Sequence, residues 1–326
     1  TLDSAMIKWR YPKAFSNLKQ KYPQASEQEI IRAIRRSLLN GVASSSFHGT
    51  TVAGVIAANP QDNQGVYGVA PKAKILPVTA GLGQFSALNL IQSIGYAAFR
   101  GADIINLSLG SQIPNLPVIQ SIQQLLQTNP NLVIVASSGN EYSDRLNYIA
   151  AIPGVIAVGA TNMEGFRTSY SNYGSDPLYA SKLTVVAPGG DFSSDHGDFG
   201  GVLTTGGTGQ PLLMDGLNIT GHWGSNWDLQ GKYRWTTGTS FSAPIVSGVI
   251  ALIKGEDKDN RLTRQDLIDI LQKTASYDRL KLRDAETRFF NTAKPNNFNS
   301  PEEYFFGAGL VNAEAAVAEA KARLNK

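Results

Sequence analysis

The sequence predicts an α/β protein with a mostly parallel central sheet flanked by helices. Three observations carry that expectation. Short apolar runs alternate with helical patterns from His48 onward; "NLVIVASSG" and "VIAVGAT" are near-continuous runs of β-branched residues; and no linker convincingly divides the 326 residues. Strands buried on both faces read as unbroken apolar runs, and alternation with helices brings successive strands parallel. A chain of this length buries a large core, and residues 1–326 are expected to form one domain.

The elements follow in order. "ASEQEIIRAIRRSLLNG" reads as a helix: Ser26 and Glu29 have capping-box spacing, Ile30, Ile31, Ile34 and Leu38 repeat at helical intervals, and Gly41 follows the end. Arg32, Arg35 and Arg36 are its solvated face. "AKILPVTA" is strand-like, "SALNLIQSIGYAAFRG" helical, "ADIINLSL" strand-like and "SIQQLLQTNP" helical. Residues 190–235 break the pattern. They are rich in Gly, Asp and Ser, hold Trp223, Trp227 and Trp235, and read as a long irregular insertion that leaves room for hairpins and in which the tryptophans could pack a small subcore. "SFSAPIVSGVIALIKG" is a buried helix of small residues with Pro244 in its first turn, and "LTRQDLIDILQKTA" an amphipathic helix opened by Thr263 and Asp266. Residues 276–306 are polar and irregular, and "NAEAAVAEAKARLNK" closes the chain as a helix.

The totals exclude several classes. A net charge of +3 without basic clusters argues against nucleic-acid binding. With no cysteine there is no disulfide, thiolate metal site or Cys nucleophile. No apolar run reaches the length of a membrane span, and the chain does not open on a basic and then apolar signal segment.

Three segments carry chemistry. In "HGTTVAGVIAA" small residues let a helix start closely packed while the His48 imidazole faces outward; alone it reads equally as a structural histidine. In "TGTSFSAPIVSGVIALI" Ser240 stands at a helix entry, where free N–H groups and the helix dipole favour an anion; alone it reads as a helix cap. In "VIVASSGNEY" Asn140 follows an apolar strand, where its amide can donate to a ligand at the sheet's carboxyl edge; alone it is a turn asparagine.

Together these segments resemble the subtilisin-like serine peptidases, the subtilases. "GVYGVAP", "DIINLSLG", "VIAVGAT", "LTVVAPGG" and "GAGLVNAEAAV" are similar to that family's framework segments, in the family's order, over nearly the whole chain. The resemblance implies a three-layer subtilisin-like fold and an Asp-His-Ser triad in that chain order. Asp3 is the only aspartate upstream of His48 and stands 45 residues before it, and "DSA" is similar to the family's Asp-Ser/Thr-Gly with Ala5 in place of Gly. The implied catalytic set is therefore Asp3, His48 and Ser240, with Asn140 as oxyanion donor. A frayed terminal aspartate is the other reading of Asp3. In the family an apolar strand leads into the acid, and only Thr1 and Leu2 precede Asp3 here; the strand is expected in an upstream segment, or in a separate processed fragment or propeptide.

The resemblance further implies a serine endopeptidase acting on a protein or peptide, with no cofactor for catalysis and a secreted or cell-envelope setting. Ser108, Leu109 and Gly110 would wall one side of an open P1 slot, and Ser137, Ser138 and Gly139 the other, with its floor in "DRLNYIAA". A structural calcium is implied near "NPQDNQGVYG", where Asp62 could contribute a carboxylate. Asp191, Asp195, His196 and Asp198 in "DFSSDHGD" read as a solvated turn, and the 190–235 insertion could border the cleft. Two other functions stay open: a transpeptidase or macrocyclase, and a catalytically dead binding module. An α/β-hydrolase is disfavoured, because that fold wants G-x-S-x-G and a histidine after the serine.

Overall fold

The computed structural model describes residues 8, 12–31, 34, 47–60, 65–81, 86–176, 178–192, 197–206 and 232–325. Asp3, Asp62, Asp195, His196, Trp223 and Trp227 lie outside the described residues, as do Arg32, Arg35, Arg36, Leu38 and Gly41. The central sheet has four strands, β1 (Ile104–Leu107), β2 (Val133–Ser137), β3 (Val155–Thr161) and β4 (Val185–Pro188), in that spatial order and all parallel. A separate antiparallel pair joins β5 (Val202–Thr205) to β6 (Tyr233–Thr236). The helices in chain order are α1 (Pro12–Lys21), α2 (His48–Ala57), α3 (Ala87–Phe99), α4 (Leu116–Thr128), α5 (Thr239–Glu256), α6 (Arg264–Thr274), α7 (Asp284–Ala293), α8 (Pro301–Phe306) and α9 (Ala313–Leu324).

Every residue of β2 and β3 is buried, as their unbroken apolar runs require. Successive side chains point to opposite faces of a strand, and the two faces meet different helices. Ile134, Ala136, Ala157 and Val186 share a core with α3 and α4 through Leu90, Ile94, Ile119 and Ile122. Val133, Val135, Ile156, Val158 and Val185 share the other core with Val246, Ile250, Leu267 and Ala316 from α5, α6 and α9. Helices thus cover both faces, giving the three layers. None among the described residues is long and apolar enough to cross a membrane.

Local signals explain several boundaries. Glu29 Oε2 accepts from the Ser26 N–H at 2.7 Å and the Glu29 N–H donates to Ser26 Oγ at 3.3 Å, the expected capping box. Residues 27–31 are helical, and Ile30, Ile31 and Ile34 bury against Phe15 and Leu18 of α1, a helix the sequence reading did not anticipate. Thr263 and Asp266, expected to open α6, form a second capping box at its start.

Three expectations need correction. "AKILPVTA" is not a strand: it has no ladder partner among the described residues. Pro77 lacks the N–H a ladder needs, and Ile75 and Val78 are 43% and 37% exposed. Residues 276–306 are not irregular throughout, since α7 and α8 form there. Ser300 caps α8 by accepting from the Glu303 N–H, Pro301 opens its first turn, and Tyr304 packs edge-on against Phe298 and Phe305. Polar composition hides these elements because their apolar contacts come from distant aromatics such as Tyr173. Finally, Pro244 is not in the first turn of its helix. α5 already begins at Thr239, which puts Pro244 in the second turn.

Arg167 anchors α7 to the body of the protein. Its side chain is 1% exposed, and Nε and Nη2 donate to Glu286 Oε1 at 3.1 and 2.8 Å. Nη1 donates to the Ser171 carbonyl at 2.8 Å, and the guanidinium lies 4.4 Å from the Tyr173 ring centroid. Removing one partner of a buried pair strands the other charge. Glu286→Ala should therefore lower unfolding free energy by about 3–5 kcal/mol in denaturant titrations. A loss below about 1 kcal/mol, the range of surface pairs, would show that the guanidinium finds water instead.

Candidate active site

The carboxyl ends of adjacent parallel strands and the N-terminus of α5 meet at one edge of the sheet. Sites of open α/β sheets lie there, because strand ends release chain into loops while helix starts present free N–H groups. Ser108, Leu109 and Gly110 leave β1 at this edge; Ser137 ends β2, and Ser138, Gly139 and Asn140 follow. α5 enters with Gly238 at φ 138°, a conformation that favours glycine, followed by Thr239 and the half-buried Ser240.

Pro244 has a consequence for Ser240. A proline four residues on cannot donate to the Ser240 carbonyl, and the Ser108 hydroxyl supplies that hydrogen bond at 2.7 Å. Ser108 Oγ is itself held by Asn106 Nδ2 at 2.9 Å, and Asn106 Oδ1 accepts from Ser247 Oγ, two turns along α5, at 2.9 Å. The chain Ser247–Asn106–Ser108–Ser240 therefore ties the start of α5 to β1. The Ser240 hydroxyl donates to the Ser108 carbonyl at 3.3 Å, and among the described residues no hydrogen bond joins it to His48.

Asn140 is oriented from the other side. Its Oδ1 accepts from the Thr239 N–H and from Thr239 Oγ1, each at 2.9 Å. A backbone N–H only donates, so the oxygen must face Thr239, and Nδ2 is left as the donor. That nitrogen lies 3.8 Å from where a methyl on Gly238 would stand, beside the entry to α5. The loop behind it is held by Asn172, whose Oδ1 accepts from the N–H groups of Glu141 and Ser143, each at 3.0 Å.

His48 is the first residue of α2 and is half-buried, with its ring centroid 5.6 Å from that of Phe241, the residue after Ser240. Hydroxyls of the insertion hold α2 in place: Thr204 Oγ1 donates to the Thr51 carbonyl at 2.8 Å and Thr205 Oγ1 to the Thr50 carbonyl at 3.0 Å. Gly54 permits this approach, since a methyl there would meet Thr205 Oγ1 at 2.1 Å. Burial pushes the His48 imidazole below its ordinary range, and the Arg234 guanidinium on β6 adds to the shift. Trp235 packs edge-on against Phe199 at 5.5 Å, so part of the insertion is ordered around an aromatic pair.

The structure thus brings Ser240, Asn140 and Ser108 together by hydrogen bonds and sets His48 beside them through Phe241. Ser137, Ser138 and Gly139 lie on β2 and its exit, next to the β1 exit. Between these two walls sits Asn147, 4% exposed, from the stretch expected to form the floor. A methyl on Gly110 would lie 2.9 Å from Asn147 Cβ, and one on Gly139 would lie 2.8 Å from its Nδ2. The Asn147 amide therefore fills the space between the two strand exits, which is less open than their small residues suggest. Thr239, Asn147 and Arg234 were missed from sequence. Thr239 lies beside Ser240 and reads there as spacing, while Asn147 and Arg234 reach the site only through tertiary packing.

Asp62 and Asp195 lie outside the described residues, and Asp191 is buried at the end of the β4 loop. Among the described residues no group of three or more His, Cys, Asp or Glu side chains converges as a metal cage would require.

Comparison with known proteins bears on the family and the fold. The family model described as "Subtilase family" matches residues 14–309. Subtilisin Savinase of Lederbergia lenta is 31% identical over 271 residues, which cover 82% of this chain and 77% of that protein. M-protease of Shouchella clausii (strain KSM-K16) is 31% identical over 272 residues, but the chain spans only about half of it, 54%. Among solved structures, a protease from Pseudoalteromonas arctica PAMC 21717 superposes with a TM-score of 0.63 at 28% identity, covering 84% of this chain and 71% of that one. The patellamide maturation protease PatA superposes with a TM-score of 0.59 at 27% identity, covering 87% of both. By sequence and by fold, this chain belongs to the subtilase family of subtilisin-like serine peptidases.

Proposed function

We propose that the chain is a serine endopeptidase that hydrolyses protein or peptide substrates through an acyl-enzyme on Ser240. The observation that carries the reading is the Asn140 amide, turned by Thr239 so that Nδ2 faces the helix start bearing Ser240. A serine hydroxyl needs a neighbouring base at neutral pH. His48 takes the Ser240 proton as Oγ bonds to the scissile carbonyl carbon, then returns it to the leaving amine. The hydroxyl must turn from the Ser108 carbonyl to the imidazole for this, a change that substrate entering the slot would favour. Asp3, which is selected by chain order and its "DSA" context, holds the ring's tautomer and stabilises its cation. Negative charge growing on the carbonyl oxygen is bound by Asn140 Nδ2 and the Ser240 N–H.

The mechanism uses the chain's own side chains and one backbone N–H and calls on no cofactor. Substrate backbone adds as a strand, and the P1 side chain enters the slot above Asn147. From the family resemblance we also propose a secreted or cell-envelope setting. The solved neighbours PatA and PagA are described as maturation proteases, at 27% and 26% identity, so an endogenous precursor peptide is a substrate to try first. Product mass spectrometry separates hydrolysis, which leaves free ends, from transpeptidation, which leaves a joined or cyclic peptide.

Fluorophosphonate labelling tests the nucleophile: the parent protein should react and Ser240→Ala should not, whereas an unreactive parent would make this a binding module. Asn140→Ala should fold normally, because the side chain it removes is exposed, and lose at least about 100-fold in kcat; that magnitude is borrowed from subtilisin's own oxyanion donor. Unchanged turnover would remove Asn140 from the mechanism. Asn147→Gly should widen P1 acceptance toward larger apolar side chains in peptide-library profiling, and an unaltered profile would place the floor elsewhere.

The pH dependence follows from Arg234. A nearby cation disfavours the imidazolium, which lowers the His48 pKa, so removing that cation must raise it. In Arg234→Gln the acid limb of kcat/KM should move to higher pH. An Asp3 carboxylate at the ring acts in the opposite sense but equally in both proteins. A limb that stays fixed or moves down would show that Arg234 does not act on His48.

A further inference from the structure

The phenol of Tyr170 lies outside the motifs that point to the active site, yet it touches the turn that delivers Ser240. Its hydroxyl is 2.8 Å from the Gly189 carbonyl oxygen and 2.7 Å from that of Gly190, and it accepts from the Gly238 N–H at 2.9 Å. One hydroxyl has one proton and two lone pairs, so the two carbonyls share its proton while Gly238 uses an acceptor site. Gly238 also donates to the Gly189 carbonyl at 2.9 Å, which closes a small network between the β4 exit and the entry to α5.

The backbone of the same residue reaches the other half of the oxyanion site. The Tyr170 carbonyl accepts from the Tyr142 N–H at 2.9 Å, two residues beyond Asn140, where Tyr142 has φ 52°. A bulky residue with positive φ is strained, and such conformations persist only where surrounding contacts hold them. Asn172, two residues after Tyr170, clamps the N–H groups of Glu141 and Ser143 on either side. One short segment thus grips the Asn140 loop with its backbone and an amide, and the Gly238 turn with a phenol.

We infer that Tyr170 is a positioning residue that sets the Ser240 N–H and the Asn140 amide at the mutual spacing the oxyanion requires. The inference rests on the peptidase reading above and deepens it. Burial pushes the phenol above its ordinary range, so it remains a neutral hydroxyl, donor and acceptor at once, throughout the working pH range of a histidine base. A brace of this kind shows itself in transition-state binding, because the oxyanion forms only there, and leaves substrate affinity alone.

The test is Tyr170→Phe in the full chain, with rates divided by the concentration of fluorophosphonate-titrated sites so that unfolded protein is not counted. A displacement of an ångström or less at the donors should lower kcat by about tenfold, with KM within about twofold of the parent. Affinity for a peptide aldehyde, whose adduct with Ser240 places an oxygen in the oxyanion site, should fall by the same factor, while a non-covalent product peptide binds as before. The acid limb of the pH profile should not move. Incorporating 4-aminophenylalanine at position 170, which restores a donor to the two carbonyls and a lone pair toward Gly238, should recover most of the loss. Unchanged kcat in Tyr170→Phe overturns the inference, as does equal weakening of the aldehyde and the product peptide. A parent protein that neither labels nor turns over substrate would instead sink the peptidase reading itself.

Discussion

The hydrogen bond from the Ser108 hydroxyl to the Ser240 carbonyl is the contact on which the rest of the site depends. α5 contains a proline four residues after the half-buried Ser240, and the helix alone cannot satisfy that carbonyl. Placing the donor at the exit of β1 makes the serine's position a property of the sheet edge. Loss of a helical bond at Pro244 is thereby converted into registration between helix and sheet. The same relay continues through Asn106 to Ser247, which fixes the helix along its length as well as at its tip.

Around that anchor the site is assembled from opposite directions. The Asn140 loop approaches from the end of β2 and is locked by hydrogen bonds to Thr239, while the segment 170–172 braces it from behind. α2 brings His48 from the far side, held by threonine hydroxyls of β5 and pressed against Phe241. The residues proposed to carry the chemistry come from loops and helix starts, and those that hold them come from the sheet and from buried polar groups. Preorganisation of this type is what lets a few hydrogen bonds act on a transition state without reorganising first.

The insertion between β4 and α5 takes part in this arrangement. Its β5 contacts α2 directly, and β6 carries the Arg234 cation that disfavours protonation of His48. An imidazole with a lowered pKa remains a free base under more acidic conditions, at some cost in basicity. The insertion is therefore coupled electrostatically to the base as well as packed beside it.

Much of this was legible in the residues. The unbroken apolar runs at 133–137 and 155–161 announced strands buried on both faces, and the packing of helices on each side follows from that need. Ser240, His48 and Asn140 were readable because small residues and strand or helix ends flank them, and those flanks are local. Other features were not, because they depend on what lies across space. "AKILPVTA" has strand-like residues, but a strand exists only where another chain segment completes its ladder. α7 and α8 looked polar because their apolar partners are remote aromatics. Asn147 between the strand exits, Arg234 beside His48 and Tyr170 under the Gly238 turn carry no motif. Sequence by itself determined the layers and the chemical groups, since periodicity and backbone propensity act over a few residues. Tertiary structure alone decided which groups meet and in what electrostatic setting, because hydrogen bonds and Coulomb forces depend on distance in space and not on separation along the chain.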